Sequence, residues 1–322
     1  MKTLTIDHEH ENQRIDKYLK KLLVKAPSSL IYKMLRKKDV KVNGKRVKEN
    51  YIVHYGDQVE LFLYEDKFKE YTEPLTIKDL PITFTVAYED EHILIVNKPV
   101  GLLVQPDDQE DVNTLSNQVL TYLYKQGSYD PEKNLGFTPG PVHRLDRNTS
   151  GLVMFGKDMK ALQDLDEMMK IRHCIDKKYY TIVKGSMKDC ELIDYVKKNE
   201  KEGKMYLVSP EIPGALKMHT IVHVLKANKD FSLVEVTLVT GRTHQIRVHL
   251  ASTGHPVIGD RKYGDFALNK QFSKYHLQSQ LLHAHSLTFT NPIRSMKYLK
   301  GKTVVAPLPE RFKKIEKDLF HN

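Results

Sequence analysis

The sequence predicts an α+β protein in which a small α/β domain precedes a larger domain built on a mixed sheet. Three observations lead there. Residues 1–63 carry two runs of helical periodicity and then two of strand-like alternation. Residues 82–319 mix apolar strands and amphipathic helices without strict alternation. The charge is uneven: residues 1–64 hold 14 basic and 8 acidic side chains, a surplus of +6 out of +10 for the chain. At 322 residues the chain is long enough for two domains, 1–72 with its linker and 73–322.

Ile15, Tyr18, Leu19, Leu22 and Leu23 recur at helical spacing between Arg14 and Lys25. Pro27-Ser28-Ser29 breaks that helix and offers an N-cap for a second one, which turns Leu30, Ile31, Met34 and Leu35 inward. Val40–Val47 alternates around Asn43-Gly44 and reads as a hairpin, and a further strand covers Val59–Leu63. Tyr64–Pro81 is charged, contains Pro74 and Pro81, and reads as an irregular linker. Strands are then expected over 82–88, 93–97, 152–155, 179–183, 220–225, 233–239 and 282–289. Helices are expected over 114–125, after a cap at Asp158, and over 310–319.

Composition narrows the function. Hydrophobic residues at 40% and charged residues at 29% are ordinary for a globular protein and exclude global disorder. The longest apolar runs, such as 92–96, fall far short of the roughly 20 residues that span a bilayer. The polar, acidic start of the chain does not read as a secretory signal, and two cysteines, Cys174 and Cys190, cannot build a disulfide framework. A reducing cytoplasm, a monomer and no membrane partner are expected. The net charge suggests a polyanionic partner, with solubility as the bland alternative. Clustering favours the partner: Lys33, Arg36, Lys37, Lys38, Lys41, Lys45, Arg46 and Lys48 converge on one helix end and the adjacent hairpin, against one acid, Asp39.

Four segments could carry chemistry. Residues 141–151 form a polar loop with Asp146 between Arg144 and Arg147 in sequence; either the carboxylate is functional or it makes an Asx-turn into the next strand. In 240–250 a strand ends at Gly241 and Thr243 can cap a helix that sets Thr243, His244 and Arg247 on one face, suited to an anion. In 177–185 Tyr179 and Tyr180 face opposite sides of a strand, so one can line a cleft. Asn97-Lys98-Pro99-Val100-Gly101 is a strand entering a tight turn. His244 and His249 are five apart, and His283 and His285 lack an evident third ligand, so no metal site is expected.

Together these segments resemble the RluA-type pseudouridine synthases. The family pattern H-R-L-D-x-x-T-S-G is met by 143–151 and T-G-R-T-H-Q-I-R-V-H-L by 240–250. The K-x-Y run is 177–185, with Thr181 where alanine is usual, and N-K-P-x-G is 97–101, with Gln105 where histidine is usual. The late pattern is 282–292, with Asn291 replacing histidine. Residues 12–63, with V-x-V-N-G-x-x-V at 40–47, resemble the S-four-type RNA-binding domain.

The resemblance implies isomerisation of uridine in RNA, with large-subunit ribosomal RNA as partner and no cofactor. It assigns Asp146 as the carboxylate that acts on the nucleoside, Arg247 as its partner and Tyr179 as the residue stacked on the base. Arg144, Arg242 and His244 are expected at RNA in the larger domain. Lys33, Arg36, Lys37, Lys38, Lys45 and Arg46 are expected at RNA in the smaller one. A synthase acting on transfer RNA, an inactive ribosome-assembly factor and an RNA N-glycosidase remain as alternatives.

Overall fold

The computed structural model describes residues 1–73, 76–107, 112–134 and 137–320. The first unit opens with β1 (Lys2–Thr5) and β2 (Gln13–Arg14), followed by α1 (Ile15–Leu22) and α2 (Ser28–Lys37). It continues with β3 (Val40–Val42), β4 (Lys45–Arg46), β5 (Ile52–Val53), β6 (Gln58–Leu61) and α3 (Glu65–Thr72). One face of each helix closes over a core that includes Ile15, Leu19, Ile31, Met34, Val40, Val59 and Leu61. Asn43 and Gly44 take positive φ of 52° and 73°, the mirror-type turn expected of Asn-Gly in a two-residue hairpin.

Two expectations are corrected here, and one unforeseen strand is added. Pro27, not a serine, occupies the capping position of α2, and no side chain caps it. The N-terminal strand β1, paired with β6, was not anticipated. The expected irregular linker begins as the helix α3, whose Phe68 and Tyr71 lean on the small core and whose Glu65 pairs with Lys2. Acidic residues in its first turn favour that helix, and Pro74, outside the described residues together with 75, obscured it.

The larger unit is organised by one eleven-stranded sheet. Its strands are β7 (Thr85–Glu89), β8 (Ile93–Lys98), β9 (Gly140–Pro141), β10 (Ser150–Gly156) and β11 (Ile175–Lys184). The rest are β12 (Cys190–Asn199), β13 (Lys204–Val208), β14 (Leu216–Ala227), β15 (Phe231–Leu238), β16 (Leu282–Phe289) and β17 (Thr303–Val305). They lie in the order β13-β12-β14-β15-β11-β16-β10-β8-β7, with β17 beside β16 and β9 beside β10. The hairpin β12–β13 was not foreseen, because its partly exposed alternation is broken by charged residues.

Helix α4 (Leu115–Gln126) is capped by Thr114, and α5 (Met159–Lys170) by Asp158, whose carboxylate accepts the Ala161 amide at 2.7 Å, as expected. α6 (Gln245–Ser252) follows β15, α7 (Phe266–Gln271) is short, and α8 (Glu310–Phe320) closes the described chain.

Register across the sheet aligns Gly151, Ala284, Tyr179, Val236, Val222 and Cys190 in one row. Paired residues present side chains to the same face, so Tyr179 stands in the core that contains Leu145, Ile246 and Leu282. A bulge between Lys178 and Tyr179 adjusts the strand immediately before the tyrosine. Gly151 makes the row possible: its φ is +111°, and a Cβ there would lie 2.2 Å from the Ala284 carbonyl oxygen. Gly151→Ala is expected to destabilise the protein by about 3 kcal/mol through backbone strain and overpacking, read as a lower urea midpoint.

Candidate active site

The loop ahead of β10 carries Asp146, and neighbouring chain grips it from several sides. The Val142 amide donates to the Met154 carbonyl at 3.0 Å, and Leu145 is buried. The Arg147 carbonyl accepts from the Gly101 amide at 2.9 Å and from Lys98 Nζ at 3.0 Å. Lys98 is fully buried, and its other hydrogen bonds go to the carbonyls of Pro99 and Leu102 at 2.9 and 2.8 Å. Three carbonyls match the three donors of an ammonium, while burial brings its pKa down to about 7. The N-K-P-x-G turn is thus the clamp on the Asp146 loop. His143 Nε2 accepts the Met154 amide at 3.2 Å, which requires a neutral ring; burial and the charge of Lys177 hold its pKa near 3.

Asp146 makes no Asx-turn. The Thr149 amide goes to its main-chain carbonyl at 3.0 Å, which leaves the carboxylate free for Arg247, whose Nη1 donates to Oδ2 at 2.7 Å. The other edge of the guanidinium is taken by Asp260, through Nε–Oδ2 at 2.7 Å and Nη2–Oδ1 at 3.0 Å. Asp260 was not expected in the site. The Lys262 and Tyr263 amides also bond its carboxylate. Burial opposes the Asp260 charge, but Arg247 and these amides outweigh it and hold its pKa below the ordinary carboxylate range. Burial likewise opposes the charge on Arg247, and the two carboxylates raise its pKa.

The predicted helix at 243 begins later than expected. Thr243 lies outside α6 and does not cap it; His244 takes the cap position in the left-handed region, with φ 55° and ψ 20°. Gln245 ties the approach instead, accepting from Thr240 Oγ1 and the Arg242 amide at 2.8 and 3.0 Å and donating to the His219 carbonyl and Thr220. Arg247 therefore shares its helix with Gln245, not with Thr243.

Asp146, Tyr179 and Arg247 meet in one cavity of about 1070 Å³, which Arg144, Arg242 and His244 also line. Among the described residues lining it, Asp146 is the single carboxylate against nine lysines and arginines. Burial and the charge of Asp146 push the Tyr179 phenol well above its usual pKa, so it is a neutral ring at physiological pH. Arg144 and Arg242 are exposed at the rim. Thr181, the departure in the strand motif, is fully buried with its hydroxyl satisfied by the Leu281 carbonyl at 2.8 Å. His283 bonds Ser150 and the Ala306 carbonyl, and His285 bonds the same carbonyl, so both serve the sheet. Among the described residues no three His, Cys, Asp or Glu side chains gather as metal ligands do.

On the small unit, Lys33, Arg36, Lys37, Lys38, Lys45 and Arg46 are all exposed at the end of α2 and the β3–β4 hairpin.

Comparison with known proteins gives the family. Residues 92–252 match the RNA pseudouridylate synthase family model, and residues 13–59 match the S4 domain. The chain belongs to the RNA pseudouridylate synthase family. It is an isomerase that converts uridine in RNA to pseudouridine. It is 32% identical to "Uncharacterized RNA pseudouridine synthase YlyB" of Bacillus subtilis over 99% of this chain and 98% of that one. It is 31% identical to "Ribosomal large subunit pseudouridine synthase C" of Vibrio cholerae over 91% and 90%. The fold is shared with the solved human RNA pseudouridylate synthase domain containing 4, at TM-score 0.58 and 22% identity, covering 73% of this chain and 92% of that one.

Asp260→Asn leaves Arg247 buried with half its partners. The expected loss is about 3 kcal/mol at pH 7. Because Asp260 has a lowered pKa in the fold, the stability it contributes is fully present above the ordinary carboxylate pKa and is lost as pH falls from there through the lower folded value. Urea melts of enzyme and variant are therefore expected to begin converging below about pH 4.

Proposed function

We propose that the RNA is large-subunit ribosomal RNA and that Asp146 is the carboxylate that acts on the target nucleoside. The observation that carries this reading is one carboxylate oxygen, Oδ2, held at 2.7 Å by Arg247 inside a cavity lined by cations. A polyanion meets positive walls there, and the carboxylate faces a nucleotide lifted from its stack. Curated relatives named for the large ribosomal subunit, in Vibrio and Pasteurella species, support the choice of RNA.

Isomerisation breaks N1–C1′ and forms C5–C1′; N1 gains a proton and C5 loses one. In the proposed roles Arg247 fixes Oδ2, so that Oδ1 meets the nucleoside. Tyr179 is the platform for the base, its hydroxyl kept neutral by burial and by the same carboxylate. Arg144 and Arg242 contact the RNA around the extruded nucleotide, and His244 faces that nucleotide from the cavity wall. The basic face of Lys33, Arg36, Lys37, Lys38, Lys45 and Arg46 grips structured RNA at a distance. We further propose the division at 72/73, supported by α3 packing on the small core, with the enzyme acting as a cytoplasmic monomer.

The decisive experiment uses ribosomal RNA tritiated at uracil C5. The protein is expected to release tritium to water, and Asp146→Asn to reduce release at least 1000-fold (roughly 4 kcal/mol of barrier) while RNA affinity stays within a few-fold. Retained release by the variant, or none by the wild type, defeats the assignment. Replacing Lys37 and Lys45 together with alanine is expected to weaken RNA binding. The slope of log affinity against log salt should become shallower by about 1.5; an unchanged slope removes these residues from the interface.

A further inference from the structure

Tyr263 and His244 form a pair that none of the roles above explains. The Tyr263 hydroxyl accepts the Met205 amide at 2.8 Å and lies 2.8 Å from His244 Nδ1. A phenol with one acceptor position filled has its own proton left to give. Among the described residues His244 Nδ1 is the acceptor within reach. Nδ1 is then the bare nitrogen and Nε2 carries the hydrogen. Arg247 stands over the Tyr263 ring, its guanidinium carbon 5.2 Å from the centroid, and strengthens the phenol as a donor.

The Nε2–H lies at the wall of the cavity, 3.8 Å from Asp146 Oδ2, too far for a hydrogen bond to an oxygen already taken by Arg247. His244 holds this position from a left-handed backbone, with φ 55°. The ring is mostly buried, and its desolvation, with Arg247 and Lys262 nearby, outweighs the attraction of Asp146 and Asp260 and keeps it neutral. The result is a fixed, neutral donor beside the carboxylate, without an acceptor in reach among the described residues.

The reaction supplies one. Turning uracil over about its N3–C6 axis exchanges N1 with C5, and by the same rotation exchanges O2 with O4. A carbonyl oxygen flanks the atom joined to C1′ before the turn and again after it. We propose that His244 Nε2–H donates to this carbonyl position beside Asp146 in both orientations, O2 in the uridine and O4 in the pseudouridine. Negative charge released onto the detached ring is shared by these oxygens, so the donor also steadies the base between the two bonds. His244 is thereby a catalytic residue and Tyr263 a positioning residue that sets its tautomer. The proposal rests on Asp146 as the reacting carboxylate.

Two measurements test it. In the imidazole nitrogen spectrum of the full-length protein, with the His244 resonances assigned by their loss in His244→Gln, Nδ1 is expected unprotonated and Nε2 protonated from pH 6 to 8. A proton on Nδ1, or ordinary histidine titration near pH 6.5, overturns the proposal. In C5-tritium release, His244→Ala is expected to lower kcat by about 100-fold with RNA affinity within twofold. His244→Gln, which keeps an N–H, is expected to recover part of that loss, and Tyr263→Phe to lower kcat about tenfold. Loss of RNA affinity at unchanged kcat makes His244 an ordinary backbone contact and overturns the proposal. A wild type that releases tritium no faster than His244→Ala overturns the proposal alone, whereas a wild type that releases none overturns the assignment of Asp146 and this proposal with it.

Discussion

The site is organised by the need to neutralise one buried guanidinium. Arg247 is nearly inaccessible to solvent and would be costly to bury without anions. Asp260 takes two of its donors in a forked pair, which fixes the plane of the guanidinium. The remaining donors are fixed in that plane, and Asp146 accepts one of them, from Nη1. A carboxylate on the loop before β10 is thereby oriented by an arginine on α6, 101 positions later in the chain. The same Asp260 also binds the amides that begin the loop to Tyr263, so the phenol that touches His244 is positioned by the same carboxylate.

The sheet supplies what the ion pair cannot, a rigid distance between loops. The row from Gly151 through Ala284 to Tyr179 brings the base of the Asp146 loop on β10 into line with the tyrosine on β11, with β16 between them. Lys98 closes the arrangement from beneath, its ammonium joining the turn after β8 to the carbonyl of Arg147. The electrostatic result is a cavity with one anionic oxygen pair in a cationic wall. Phosphates are drawn to the rim, and the carboxylate repels them from the point where chemistry is to occur.

Much of this was legible beforehand for identifiable reasons. The Asn-Gly hairpin, the Asp158 cap and the 282–289 strand follow from local chemistry, and each stands where local chemistry puts it. What failed locally failed where distant contacts decide. Helix α3 exists because Phe68 and Tyr71 find the small core, and β1 because β6 offers it an edge. The cap expected of Thr243 was displaced because Gln245, reaching to His219 and Thr220 on β14, holds the turn and leaves His244 at the helix entrance.

Through its resemblance to the RluA-type family the sequence by itself pointed to the reaction class and named Asp146, Tyr179 and Arg247 as candidates, because their flanking residues match the family's runs. It also determined that the basic surplus is concentrated in the first fifth of the chain. Only the tertiary structure decided what each group faces. Asp260 and Lys98 emerged as the partners that hold the site, and Tyr263 as the residue that sets the state of His244. The physical reason is that hydrogen-bond direction and burial depend on atoms brought together from segments far apart in sequence. A motif names the side chains, but their donors, acceptors and charges are assigned by the neighbours they meet.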